Sequence, residues 1–399
     1  MRTLSRRSLI VMSLTFIGAP SSRAQAPERR PHGWEFVGLP ALNFDSDEGV
    51  GYGALLEIYN YGSIGVQPYR YTIQPTVFLT TKGRRDVVVF FDAPSLLPFG
   101  LRLDAFVGRE EQIATPYYGI GNETRFEEAL ENPPDAYFYR YGRTRVRVLA
   151  NVQHKFTNLP ARVLFGGGFA RVKTDATPFD SGTTLLATQL GATMAPRGTL
   201  AYVRTGLVWD TRNREIAPSH GTYGDILLQR VDEALGSSSS YTRVTGAVRK
   251  YWPLTSRLVF AQRLLAQQTS GDVPLYDLAT IQTSYKQQEG LGGTNTVRGL
   301  PKNRFVGKGI EVLNTELRWR FRDFRLLRKD AYLTLSGFYD VGRVWTESIR
   351  LTEIASDLHD GYGGGIRLGL GPSFAVAVDA GRSSEWNGTQ IYIGLGYPF

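Results

Sequence analysis

The chain has 399 residues, 42% of them hydrophobic and 12% aromatic, yet its mean hydropathy is slightly negative. That is too polar for a bundle of membrane helices, and without cysteine neither a disulfide framework nor a thiolate metal site is possible. Four of the 46 basic residues, Arg2, Arg6, Arg7 and Arg23, lie in the first two dozen positions; without them the excess over the 37 acids falls from nine to five, too small to point to a nucleic-acid partner.

The first segment reads as an export signal: a basic start, an apolar stretch from Leu9 to Ile17, then small residues. Cleavage after Ala24 is preferred to cleavage after Ala26, which would put Pro27 just beyond the scissile bond. Residues 1–24 are therefore expected to be a signal peptide and 25–399 the mature chain. Arg6-Arg7 also fits a twin-arginine signal, a route ranked below general secretion because it carries folded proteins. Elsewhere no run approaches the roughly 18 apolar residues of a spanning helix.

Alternation with a period of two runs along the rest of the chain. Leu101, Leu103, Ala105 and Val107 oppose Arg102, Asp104, Phe106 and Gly108; Leu313, Thr315, Leu317, Trp319 and Phe321 oppose Asn314, Glu316, Arg318 and Arg320. Repeated without any shift in composition, and with aromatics near strand ends, this pattern predicts a lipid-facing exterior around a polar lumen. Strands are expected near 33–44, 50–61, 69–80, 85–92, 101–110, 137–155, 160–173, 198–210, 221–231, 240–251, 257–268, 310–321, 332–345, 361–370, 373–381 and 389–398. The fold class is thus all-β, a transmembrane antiparallel barrel of about sixteen strands. With both ends in the periplasm, the eight outer loops total about 130 residues and the seven inner turns about 45, the usual asymmetry of such barrels. Short helices are expected at 124–131 and 351–358, in outer loops.

At the end of the chain Ile391, Ile393, Leu395, Tyr397 and Phe399 are expected to share one face of the last strand, which ends on an aromatic residue. Such an edge can be read by strand addition, and barrel-assembly machinery is the expected reader during biogenesis.

The longest outer loop, the sixth, carries Glu289-Gly290-Leu291-Gly292-Gly293-Thr294-Asn295-Thr296-Val297-Arg298-Gly299-Leu300. Here the sequence resembles the BamA/TamA-like superfamily of outer-membrane assembly and translocation barrels, which includes the two-partner-secretion transporters. The resemblance extends to Leu313-Asn314-Thr315-Glu316-Leu317-Arg318, to Phe338-Tyr339-Asp340-Val341-Gly342, and to Trp209-Asp210-Thr211-Arg212-Asn213 with Pro218 and Gly221. It implies that the loop folds into the lumen with Val297, Arg298 and Gly299 at its tip. Asp340 shares an inward register with Tyr332, Thr334, Ser336 and Phe338, and Glu316 points inward too. Arg298 is accordingly expected to meet both carboxylates through paired charge-assisted hydrogen bonds. Leu300 replaces the aromatic usual after Val-Arg-Gly. The first strand begins within about ten residues of the expected cleavage site, too few for the periplasmic POTRA domains typical of the family.

The resemblance implies insertion or translocation of protein or lipid at the outer membrane. A passive channel or structural barrel that keeps the loop lock is the alternative. Outer-membrane lipid and lipopolysaccharide are the expected surroundings, and an exposed strand seam allows a homodimer. No enzyme, cofactor or metal is expected. There is no Gly-x-Ser-x-Gly, and Gly290-x-Gly292-x-x-Asn295 lacks the third glycine of a dinucleotide turn. Of His32, His154, His220 and His359 only His154 is placed where it could face a lumen.

Overall fold

Successive side chains along each strand point to opposite faces, and here the usual sorting of apolar inward and polar outward is inverted. On one strand Leu264 is 56% exposed while its neighbours Arg263 and Leu265 are fully buried. Leu207, Val203, Val248 and Leu317 stand outward, whereas Arg243, Arg298, Arg367, Glu316 and Asp340 are among the most buried residues. Apolar outside and charged inside is the arrangement of a barrel in lipid.

The computed structural model describes residues 32–45, 49–63, 66, 68–81, 83–131, 137–179, 183–190, 197–284, 287–326, 329–371 and 374–399. The expected leader, Met1–Ala24, lies outside them. The wall strands are β1 (Trp34–Asp45), β2 (Gly49–Asn60), β3 (Tyr71–Thr80), β4 (Arg85–Ala93), β5 (Leu101–Pro116), β6 (Arg140–Lys155), β7 (Ala161–Asp175), β8 (Arg197–Asp210), β9 (Gly221–Val231), β10 (Tyr241–Pro253) and β11 (Leu258–Gly271). The two-residue strands β12 (Thr280–Ile281) and β13 (Gln288–Glu289) belong to the sixth outer loop. The wall resumes with β14 (Gly309–Leu326), β15 (Lys329–Trp345), β16 (His359–Leu370), β17 (Phe374–Ser383) and β18 (Trp386–Leu395). Sixteen strands form one antiparallel sheet in which each pairs with its sequence neighbours, β11 pairing directly with β14. The sheet's ends, β1 and β18, come alongside each other. Among the described residues no backbone ladder joins them.

Four details depart from the sequence reading. Of the expected helix at 124–131 only a 3-10 turn at Glu128–Glu131 forms, and of that at 351–358 only Leu351–Glu353. Phe126 instead packs its ring 4.2 Å from Trp386, tying the third outer loop to the last hairpin. Two short helices, α1 (Leu185–Leu190) and α2 (Leu275–Leu278), were not anticipated. His154 is exposed on β6, between the buried Gln153 and the exposed Lys155, so it does not face the lumen.

The fourth correction concerns the carboxy-terminal strand. Ile391 and Ile393 do face outward, at 55% and 47% exposure, but β18 ends at Leu395. Gly396 adopts φ +74°, a left-handed conformation that ends the pleat, and Pro398 has no N–H to continue a ladder. Tyr397 therefore turns to stack on Arg318, and Phe399 is buried against Tyr251 and Ala261. The five apolar residues do not share one face.

Candidate functional site: the loop in the lumen

The sixth outer loop, 272–308, enters the barrel because its own apolar residues have a wall to meet there. Leu291, Val297, Leu300 and Phe305 pack with Ala247, Leu265, Ile310, Val312 and Val344 in one buried cluster. Leu300, at 1% exposure, fills its place in this cluster with an aliphatic side chain. The tip is knotted locally: Thr296 Oγ1 accepts from Gly292 N–H at 2.9 Å and lies within hydrogen-bond distance of the Gly290 and Gly292 carbonyls. Asn314 of β14 donates to the Thr296 carbonyl at 2.6 Å.

At the tip, Arg298 meets an acidic wall. Its Nε and Nη2 donate to the two oxygens of Asp340 at 2.8 and 3.1 Å, and its main-chain N–H donates to the same carboxylate at 3.2 Å. Nη1 lies 3.4 Å from Glu316 and 3.5 Å from Asp379. The guanidinium centre sits 3.5 Å over the Phe338 ring. Arg298, Glu316 and Asp340 side chains are fully buried. Arg367 completes the network, bridging Glu316 at 3.3 Å and Asp379 at 2.8 Å. Sequence reasoning named Val297, Arg298, Gly299, Glu316, Phe338 and Asp340, and the structure brings all six together.

Reasoning from sequence did not find Asp379, Arg367 or Tyr392. Tyr392 of β18 accepts from the Gly299 N–H at 2.9 Å and donates to the Leu300 carbonyl at 3.2 Å. The loop tip is thereby fastened to the last strand. The fit is close enough to demand glycine: Gly299 has φ +106°, and a Cβ on Gly361 would lie 1.8 Å from the Arg298 carbonyl oxygen. The sequence placed 361–370 only as a strand, and backbone packing against a loop leaves no periodic signal.

The loop is also held from the opposite wall, with the charges reversed. Glu289, on β13, accepts from Arg143 at 2.8 Å and Arg145 at 3.2 Å, both on β6, and pairs with Lys302 at 2.9 Å. Asp277 of α2 pairs with Arg243 of β10 at 3.0 Å, and Arg204 of β8 reaches Gln282 and the Thr283 carbonyl at 3.2 Å. A cation of the loop thus docks on acids of one wall, while two anions of the loop dock on arginines elsewhere. Between charged groups at such burial these hydrogen bonds are stronger than neutral ones.

Below the loop remains a cavity of about 440 Å³, lined by Arg102, Arg249, Tyr223, Tyr251 and the periplasmic turn 211–220 among others. In that turn Arg212 holds Asp210 with two hydrogen bonds of 2.9 Å, and Asn213 Oδ1 accepts from the Ser219 and His220 N–H groups. Gly221 has φ +107°, where a Cβ would lie 2.3 Å from the Thr211 carbonyl oxygen. The turn is pinned inward by Glu215, which accepts from Arg102 at 2.8 Å; Arg102 in turn holds Asp92.

Comparison with known proteins agrees with this geometry. The family model described as "Omp85 superfamily domain" matches residues 84–399. Among solved structures, BamA from Haemophilus ducreyi lacking POTRA domains 1–3 is similar at 14% identity and a TM-score of 0.54, over 92% of this chain and 69% of that one. CdiB from Escherichia coli is similar at 13% identity and 0.58, over 91% and 62%. CdiB from Acinetobacter baumannii follows at 11% and 0.51, over 91% and 59%. The chain thus spans about six- to seven-tenths of the length of these structures. No curated protein matches it in sequence.

Proposed function

Since the chain belongs to the Omp85 superfamily, we propose that this outer-membrane barrel inserts or translocates protein or lipid, and that the sixth outer loop is the part that moves. The observation that carries this reading is the occupied lumen. A loop docked on both walls by Arg298 and Glu289 lies in the way of a substrate, and on this reading passage requires those contacts to exchange. Only an element with two arrangements can be shifted by a substrate, and then by no more than its differential affinity for them. Outer-membrane lipid, lipopolysaccharide and, during biogenesis, assembly machinery are the partners this reading calls for. It assigns no catalytic role to the chain.

The purified barrel, reconstituted as the sole protein, tests this. Insertion of an unfolded client barrel, or transfer of a labelled lipid or polypeptide, should proceed with the native protein and change at least several-fold in Arg298→Ala. If neither process exceeds protein-free vesicles, while planar bilayers show steady conductance indifferent to Arg298, the passive-channel alternative replaces it.

A further inference from the structure

A second, smaller cavity lies at the periplasmic mouth, where the turns 211–220 and 254–257 meet the inner ends of β14 and β15. It measures about 70 Å³, and four guanidinium side chains, those of Arg214, Arg257, Arg318 and Arg320, line it. None of its described lining residues is acidic; Ser219 and Ser256 add hydroxyls.

Arg318 is the most buried of the four. Its side chain is only 4% exposed, yet Nε and Nη1 reach no hydrogen-bond acceptor. Nη2 donates to the Phe399 main-chain oxygen at 3.1 Å, and the rings of Tyr397 and Phe399 lie 4.2 and 5.0 Å from the guanidinium. The nearby carboxylates are divided. Glu316, 3.5 Å from Arg318, also serves Arg298 and Arg367; Asp323 serves both Arg320 and Arg257 from the solvent side, at 43% exposure. Buried guanidinium N–H groups without acceptors are costly, and arginines facing one small space repel one another.

We propose that this cavity binds a phosphate group. A space of about 10–15 Å³ holds one water, so the volume admits a tetrahedral oxyanion. The planar forks of arginine match its oxygens in pairs. The depth is that of a lipid headgroup: Trp319 and Trp252, 50% and 39% exposed, flank the site on the outer face next to Arg318, Arg320 and Arg257, as aromatic girdles do at a membrane interface. The same chemistry is offered by an anionic phospholipid of the inner leaflet and by free phosphate.

Folded protein in maltoside micelles, titrated separately with inorganic phosphate and with phosphatidylglycerol, distinguishes them. Saturable binding of at least one probe is expected, weakened at least tenfold in Arg318→Gln, Arg214→Gln and Arg257→Gln, and unchanged in Arg230→Gln, a control in an outer strand end. Should Arg318→Gln fail to fold, the two turn variants carry the test. Binding of phosphatidylglycerol alone identifies the source as lipid, and equal binding of both probes identifies it as the free anion. Absence of saturable binding by the folded native protein, or equal weakening by Arg230→Gln, overturns the assignment.

Discussion

Replacing Arg298 by alanine isolates the energy of the loop lock. Glu316 keeps Arg318 and Arg367 in that variant, and Asp379 keeps Arg367. Asp340 loses both guanidinium donors while remaining fully buried. Stranding one member of a buried pair costs about 3–5 kcal/mol, and the stack over Phe338 contributes about 0.5–2 kcal/mol more. Water entering the vacated lumen offsets part of this, so a destabilisation of about 3–5 kcal/mol is expected. Urea unfolding of the detergent-folded barrel, followed by the heat-modified gel band and by tryptophan fluorescence, measures it. Adding Asp340→Asn removes the stranded charge and should restore about 1–3 kcal/mol, the coupling typical of residues in contact. A loss below about 1 kcal/mol in Arg298→Ala, with no recovery in the double variant, would refute the idea that this pair holds the loop.

Tyr392→Phe removes both hydrogen bonds from β18 to the loop tip and leaves the Gly299 N–H without its acceptor, so about 1–3 kcal/mol should be lost and the loop should become more sensitive to added protease. Gly361→Ala places a methyl group 1.8 Å from the Arg298 carbonyl oxygen; either the tip lifts from β16 or the barrel does not fold, and native protease resistance in this variant would contradict the packing. Burial alone would raise the Glu215 carboxyl, but Arg102 and then Arg212 hold it at about 2, against an ordinary 4.5. A depressed carboxyl stabilises above its unfolded value, so this contribution, on the order of 2–3 kcal/mol, should be complete above pH 4.5 and fade as pH falls toward 2. Glu215→Gln should flatten that acid limb of the unfolding profile. Lys329 at the tip of the β14–β15 hairpin pairs with Glu35 of β1, reaching past β16, β17 and β18. In this cysteine-free chain Lys329→Cys with Glu35→Cys should be joined by a short bis-maleimide, while Lys329→Ala alone costs less than about 1 kcal/mol. Failure to crosslink would rule out this brace across the seam.

Strand number and facing were legible in the sequence because a lipid-facing strand repeats its constraint every second residue. Sixteen expected strands correspond to the sixteen observed, and Glu316, Phe338 and Asp340 all point inward as their register required. The residues at the loop tip were legible through a resemblance, since Val297-Arg298-Gly299 has no periodicity of its own. The last four residues were misread because Tyr397 and Phe399 continue the alternation, whereas Gly396 ends the strand by its left-handed backbone and sends both aromatic rings inward. What only the tertiary structure decided are contacts between residues far apart in the chain. Glu289 meets Arg143, Tyr392 caps Gly299, Glu215 closes on Arg102, and four arginines from separate turns and strands gather around one small cavity. Each partner taken alone is an ordinary polar residue, and its role arises from the tertiary fold that brings strands, turns and the sixth loop, distant in sequence, within reach of one another.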